Sequence, residues 1–367
     1  MNRICSFFMN DLLFLCSLLI ALISCFFGEF SLESVDFKVI ICLFGLMLLV
    51  ANIEKLGILN YIAIKLIDIS SNSRVLIRNI TLLSLFSSML LTNDVAILSL
   101  MPIYLTITKK IPNMHNKITG AVLLIIAANL GSSFFPFGNP QNLFLFSYYS
   151  LTTIEFFRLS FILLFISIIF LIVSFMGLEK KLLINQEETL PPLDKRKIIY
   201  LILISLIVLA GVFDVLAYYI AIPIAVFFLF IYDSSSLKKV DYRILATFLF
   251  FFIAVGNFAQ LEVVSVILKK QFTTNSTTFV GSIVLSQVIS NVPAAILIAP
   301  FTNQVQALFW GVNVGGLGTI IASLANLIGF RIYKQYYPSQ SKQFLLKFSI
   351  LNLIFLIAFL VIFCFIL

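Results

Sequence analysis

The chain has 367 residues, of which 61% are hydrophobic and 11% charged, with a net charge of +8 and a mean hydropathy of +1.12. Soluble domains run near about 25% charged and about 45–50% apolar, so a water-soluble fold is excluded. The Lys and Arg residues sit in short connectors between apolar runs, which marks membrane topology rather than a nucleic-acid surface, and the five cysteines (Cys5, Cys16, Cys25, Cys42, Cys364) form no CxxC pair that would suggest a zinc site or a disulfide framework.

Residues 1–28 open with Arg3, an apolar run and Leu22-Ile23-Ser24-Cys25, a loose imitation of a lipoprotein signal. Asp11 early in that run, and a topology that closes only if the run is kept, make it an uncleaved first helix. Apolar segments then follow at 37–53, 75–108, 118–148, 154–177, 198–213, 215–232, 244–268, 278–302, 305–330 and 344–367. Segment 75–108 is too long for one crossing and carries Thr92-Asn93-Asp94 at its middle, while 278–302 carries Ser290-Asn291-Val292-Pro293. Each is expected to be a re-entrant helical hairpin whose polar tip is buried in protein, because unpaired backbone is not tolerated against lipid.

The positive-inside rule tests this reading. With a cytoplasmic N-terminus, two hairpins and nine full crossings, 20 of the 24 Lys and Arg fall inside, leaving only Lys38, Arg158, Lys269 and Lys270 outside. The C-terminus is then external, and the first hairpin opens from the cytoplasm while the second opens from outside. The expected fold is therefore an all-α polytopic inner-membrane protein with inverted-topology repeats. Residues 1–177 form the N-terminal repeat, 178–197 a cytoplasmic connector and 198–367 the C-terminal repeat.

The two halves align in register. At an offset of 198, Thr92-Asn93 falls on Ser290-Asn291 and Pro102 on Pro300; after a connector shorter by 14, Asn129, Gly131 and Asn142 fall on Asn313, Gly315 and Asn326. Each half thus pairs a polar tip with a helix expected to break at a Gly-rich stretch. The first break covers Asn129-Leu130-Gly131-Ser132-Ser133 through Gly138-Asn139-Pro140-Gln141-Asn142, and the second Asn313 through Gly318-Thr319. Gly and Pro interrupt helical hydrogen bonding and free carbonyls, Asn, Ser and Thr add oxygens that can replace water around a cation, and new helix N-termini suit an anion. Interrupted helices at matching places of two inverted halves point to a transporter's binding site. Any single Asn of this set could instead be interhelical glue or a cap; four polar turns in register favour a shared site.

Asp94 is the charged member, and its repeat partner is Val292. A carboxylate inside a membrane protein is a functional hypothesis by default, and three readings stand: a Na⁺ ligand, a protonatable relay or a helix cap. The interior offers no His and no second carboxylate near Asp94, which sets aside hydrolytic or glycosyl chemistry. Glu262, Gln260 and Asp214 are expected at interfaces, and His115 in a solvated Lys-rich connector.

The stretches LTNDVAILSLMPI, ANLGSSFFPFGNPQNL, LSQVISNVPAAIL and WGVNVGGLGTIIASLANL resemble the ion-transporter superfamily of arsenite permeases, sodium/proton antiporters and divalent anion/sodium symporters with citrate-transporter-like domains. The likeness is greatest to uncharacterised bacterial inner-membrane anion permeases of that group. It implies a secondary carrier of a small inorganic or organic ion, coupled to Na⁺ or H⁺, with a Na⁺/H⁺ antiporter of the same fold as the alternative and a channel as a remote one. It also implies two Na⁺ sites, one at Asn93, Asp94, Asn129 and Ser132 and one at Asn291, Asn313 and Thr319, with Thr92, Gly131, Ser290 and Gly315 beside them. A dimer with elevator-like motion is implied in the same way, as is the absence of any cofactor besides a coupling ion. Asp94 and Val292 stand where the dicarboxylate branch has Thr, which argues against dicarboxylate contacts of that branch's kind.

Overall fold

The structure, a computed structural model, describes residues 12–28, 34–111, 114–182 and 193–367. Arg3, Asp11 and half of the expected 178–197 connector, residues 183–192, lie outside the described residues. The regular secondary structure of the described residues is helical apart from an isolated bridge between Asn72 and Leu182. In chain order the first half runs α1 (Leu12–Ser24), α2 (Phe37–Lys55), α3 (Ile58–Asp68), α4 (Ser73–Leu91), α5 (Asn93–Lys110), α6 (Lys117–Ser132), α7 (Pro140–Tyr148) and α8 (Thr153–Met176). After α9 (Lys195–Val212), the second runs α10 (Tyr218–Tyr232), α11 (Tyr242–Gln260), α12 (Glu262–Gln271), α13 (Asn275–Ile289), α14 (Asn291–Ile298), α15 (Val305–Gly315), α16 (Leu324–Tyr336) and α17 (Ser341–Ile366).

The chain is an α-helical membrane protein. α2, α4, α8, α11 and the stretch containing α17 are long and apolar enough to cross a bilayer, since 19 residues span about 28 Å. Outward-facing side chains on two of them are apolar: Phe161, Phe165, Ile172 and Met176 on α8 and Leu346, Leu353 and Ile357 on α17 are all at least half exposed, as a surface against lipid requires.

Two hairpins and two interrupted helices form the core. α4 runs alongside α6: Ile77 lies against Gly120, the Ser84 hydroxyl donates to the Leu124 carbonyl (2.9 Å), and Leu85 and Ser88 face Gly131. α5 returns along the same helix in the opposite sense, with Asn93 beside Asn129 and the Tyr104 hydroxyl donating to the Lys117 carbonyl (2.9 Å). The second half repeats the arrangement. Ser282 faces Gly311, Ile283 and Ser286 face Gly315, and Thr278 meets Thr302 (3.2 Å) where the hairpin of α13 and α14 opens.

The halves also exchange partners. α5 and α6 pack on α16, with Ile97 of α5 and Ile125 of α6 against Gly329, while α14 packs on α7, where the Tyr149 hydroxyl donates to the carbonyls of Ala299 and Thr302 (both 3.0 Å). In the same reciprocal way α1 packs on α11, through Asn257 and Ser24 (3.0 Å), and α10 on α2, with Ile222 against Gly45. α8 and α17 meet at Trp310 of α15, whose indole N–H donates to the Leu159 carbonyl (3.0 Å) and whose ring lies 4.4 Å from Phe363. α9, packed on α10 and α2, has no counterpart among the described helices of the first half. One unmatched helix between two otherwise matched sets is what turns the second set over.

Three sequence expectations are corrected. The breaks do not begin at Asn129 and Asn313: Asn129–Ser132 closes α6 and Asn313–Gly315 closes α15, so the non-helical segments are 133–139 and 316–323. The reason lies at the two glycines. A Cβ on Gly131 would run into the Leu85 carbonyl and Ser88, and one on Gly315 would lie 2.6 Å from the Ser286 hydroxyl, so both serve close helix packing rather than helix breaking. Segment 244–268 is two helices joined at Leu261, and residues 58–68, passed over by hydropathy, form the amphipathic α3.

Loop contacts agree with the charge pattern. Lys38 pairs with Asp214 (2.5 Å), Lys55 with Asp233, and the Ser73 hydroxyl donates to the Glu179 carbonyl (2.8 Å); each joins two segments that the positive-inside rule assigns to one face. The Lys55 ammonium, with Ser235, holds the Asp233 carboxyl well below the usual carboxylate range. A folded-state value below the unfolded one contributes stability that is present above about pH 4 and lost as pH falls through the folded value. Asp233→Asn is therefore expected to lower the melting temperature at pH 7 by a degree or two, with the difference from wild type shrinking in melts below about pH 4.

Candidate functional site

The hairpin tips share one unusual backbone. Thr92 (φ 88°, ψ 152°) and Ser290 (φ 77°, ψ 154°) occupy a region that is nearly exclusive to glycine, at positions equivalent by the 198-residue offset. The chain reverses at one residue, so a helix ends and the next starts with no connecting loop. Such geometry costs about 1–3 kcal/mol per residue and persists only where the surroundings enforce it. Thr92→Gly is expected to raise unfolding stability by about 1 kcal/mol, measurable by thermal melts in detergent, while slowing transport because the tip loses its fixed direction.

Four helix N-termini converge on one cavity of about 60 Å³. Asn93 and Asp94 begin α5, Pro140 and Gln141 begin α7, Asn291 and Val292 begin α14, and Ser323 and Leu324 flank the start of α16. Thr247, Phe248 and Phe251 of α11 close the remaining wall. The N-cap residues of α5, α14 and α16 make no side-chain cap, although the first N–H of α14, that of Asn291, donates to the Ala322 carbonyl (2.9 Å); α7 is capped by Asn139, whose carboxamide oxygen accepts from the Asn142 N–H (2.9 Å). Each N-terminus carries roughly half a positive charge, about +2 in all, against the one carboxylate of Asp94. Among the described residues no cation pairs with that carboxylate, and Asn93 accepts a hydrogen bond from the Asp94 N–H (3.0 Å).

Behind the cavity, buried carboxamides tie the halves together with two-fold correspondence. Asn129 donates to the Asn326 oxygen (2.7 Å), and its repeat partner Asn313 donates to the Asn142 oxygen (2.8 Å). The residue that closes each break then donates to the other half: Ser323 to the Asn129 oxygen (3.0 Å) and Asn139 to the Asn313 oxygen (3.2 Å). Asn93 also donates to the Asn129 oxygen (3.1 Å). Asn326 donates to the carbonyls of Gly316 (3.0 Å) and Thr319 (3.1 Å), and Asn142 to that of Ser133 (3.1 Å), so the freed break carbonyls are partly satisfied from within.

The sequence-derived residues divide accordingly. Asn93, Asp94, Ser290 and Asn291 line the cavity; Asn129, Asn139, Asn142, Asn313 and Asn326 form the network behind it, with Ser132 accepting from Asn139 (3.2 Å). Thr92 sets the first turn. Gly138 lies so close to the Ser132 carbonyl that no Cβ fits, and Gly318 adopts φ +101°, facing Gln287. Thr319 is not brought to Asn313: it is exposed, its hydroxyl donating to the Gln287 carbonyl (3.2 Å). Sequence reasoning missed Ser323, Gln287, Gln141 and Thr247. Ser323 was within reach, because the offset of 184 that aligns Asn129 with Asn313 also places it on Asn139; Gln287, which donates to the Gly315 carbonyl (2.8 Å) and accepts from the Thr319 N–H (2.8 Å), has Met89 as its repeat partner and left no such signal.

With this geometry in view, comparisons with known proteins are informative. A family model described as citrate transporter matches residues 11–309. The uncharacterized transporter MJ0456 of Methanocaldococcus jannaschii is 33% identical over 303 residues, covering 81% of each chain. The inner membrane protein YbiR of Escherichia coli is 28% identical over 313 residues, covering 84% of each. Among solved structures, the YdaH transporter of Alcanivorax borkumensis aligns at a TM-score of 0.47 and 12% identity, over 89% of this chain and 84% of that one.

Proposed function

We propose, from the premise that this chain belongs to the citrate transporter family and is a membrane transporter, that it is a secondary carrier of a small anion coupled to Na⁺ or H⁺. The observation that carries the reading is the cavity where two hairpin tips and two interrupted helices present four N-termini, three of them without side-chain caps. Backbone N–H groups at helix starts are the ordinary protein device for holding an anion. The cavity's size limits the cargo in this conformation. At about 60 Å³ the cavity in this conformation suits a small ion.

Asp94 supplies the coupling. A fixed carboxylate beside an anion repels it unless a proton or a metal cation neutralises the pair, so cation and anion bind together and move together. This favours symport, with the scaffold wall of α11 staying in place while the hairpin core changes its exposure. The inner membrane is the proposed location, with the N-terminus cytoplasmic and the C-terminus external, in keeping with the positive-inside count and with the name of the Escherichia coli relative.

Asp94 also favours a second reading, Na⁺/H⁺ antiport on the same scaffold, in which the carboxylate alternates between Na⁺ and a proton. Purified protein in proteoliposomes separates them. Symport predicts that uptake of a small labelled anion requires an inward Na⁺ or H⁺ gradient, and that a Na⁺ gradient without anion moves no protons. Proton movement driven by Na⁺ alone selects antiport, and anion flux insensitive to both gradients and to Asp94→Asn contradicts the proposal.

A further inference from the structure

At the far end of the hairpin core, away from the cavity, α5, α6 and α16 hold a compact cluster of Lys and Tyr side chains. The Lys109 ammonium lies 4.7 Å from the ring centre of Tyr336 and 5.6 Å from that of Tyr337, and the Lys117 ammonium lies 4.6 Å from the same Tyr337 ring. Tyr337 is fixed in turn: its hydroxyl meets Thr108 at 3.3 Å and its ring lies 5.4 Å from that of Tyr333, which stacks on Phe344 at 4.3 Å. Two ammonium groups thus share one immobilised aromatic ring. No described ion pair joins either of them to a carboxylate, and the sequence holds no Asp or Glu from 95 to 154 or from 263 to the C-terminus.

Like charges gathered on one ring repel each other, and an anion within reach of both offsets that repulsion. The surroundings decide which anion. Exposed Lys334 and Lys342 extend the positive patch onto α16 and α17, and directly beyond them α17 presents Leu346, Ile350, Leu353 and Ile357 outward. Cations and tyrosines at one level with bare aliphatic side chains at the next match the layering of a phospholipid, headgroup first and acyl chain after. By the charge rule this face is cytoplasmic, the side where anionic lipid supplies the negative surface.

We propose that Lys109, Lys117 and Tyr337 form a binding site for the phosphate of an anionic phospholipid at the cytoplasmic end of the hairpin core. The lipid bridges α5, α6 and α16, which come from both halves, so it clamps the core as one body.

The test is native mass spectrometry of purified protein released from vesicles of phosphatidylcholine containing one-tenth phosphatidylglycerol or cardiolipin. Wild type is expected to retain anionic lipid, and Lys109→Gln with Lys117→Gln to lose it by about fivefold per lysine, the usual effect of one basic side chain at an anionic surface. A matched pair at the opposite end, Lys269→Gln with Lys270→Gln, is expected to retain it as wild type does, and a size-exclusion profile identical to wild type establishes that the first double variant is folded. Tyr337→Phe keeps the ring and is expected to keep the lipid. Inorganic phosphate at millimolar concentration is expected neither to displace the lipid nor to raise the melting temperature, whereas displacement would make the site one for free phosphate. Equal lipid retention by the two double variants, or retention of phosphatidylcholine as strong as of the anionic lipids, overturns the proposal.

Discussion

Asp94→Asn is expected to reduce ion-coupled transport by about a hundredfold while leaving the melting temperature within a few degrees of wild type. The substitution keeps the shape of the side chain and removes the one charge at the meeting point of the tips. A contact to a charged group is worth roughly 1.5–3 kcal/mol, and the upper part of that range corresponds to about two decades in rate. The fold does not depend on the charge, because no cation among the described residues pairs with it. Uptake in proteoliposomes and a melt of the same preparation measure both quantities. Residual transport that no longer depends on pH or Na⁺ fits the coupling role, whereas unchanged rate and unchanged dependence remove Asp94 from the mechanism.

At Asn129, by contrast, stability and transport are expected to fall together. Its carboxamide joins Asn93, Ser323 and Asn326, which come from the first tip and from the second broken helix. Asn129→Leu, of similar volume, leaves one buried donor on each of Asn93 and Ser323 and one acceptor on Asn326 without a partner. Interhelical hydrogen bonds in membrane proteins average about 0.6 kcal/mol each, so the three together predict a loss of about 2 kcal/mol of stability and of folded yield. Transport is expected to fail as well, because the tip is no longer held to the opposite half. Asn352 provides the contrast. Its carboxamide donates only to the Phe348 carbonyl in its own helix, and its oxygen has no partner among the described residues, so Asn352→Leu is expected to be neutral or stabilising. Equal melting temperatures for Asn129→Leu and Asn352→Leu would show that the carboxamide relay contributes nothing.

The tips and the carboxamides were legible because a repeat leaves its signature in polar residues that apolar surroundings make conspicuous. Thr92-Asn93 and Ser290-Asn291, and Asn129, Asn142, Asn313 and Asn326, were found by offset alone. What escaped was ambiguous chemically. A glycine inside an apolar helix reads equally well as a break or as a seat for a neighbouring helix, and at Gly131 and Gly315 the second use prevails because Ser88 and Ser286 press against them. α3 and α12 escaped for another reason: each is short and amphipathic, and a search for unbroken apolar runs passes over a helix with one polar face. Thr319 had no repeat signal behind it, since the 184-residue offset places it on Phe135, and it entered through the family resemblance alone. The second break turns outward after Gly318, whose positive φ only glycine adopts easily, and this carries the threonine to the surface.

The central claim is that two oppositely oriented hairpin tips meet at one cavity inside the membrane. In a variant with the five native cysteines replaced, Asp94→Cys combined with Val292→Cys tests it directly, using a thiol-specific reagent spanning about 10 Å, on the scale of one helix diameter. Both positions line the same cavity, so an intramolecular cross-link between the tryptic fragments carrying residues 94 and 292 is predicted. Single-cysteine variants that label readily, together with a double variant that forms no intramolecular link, would contradict the account.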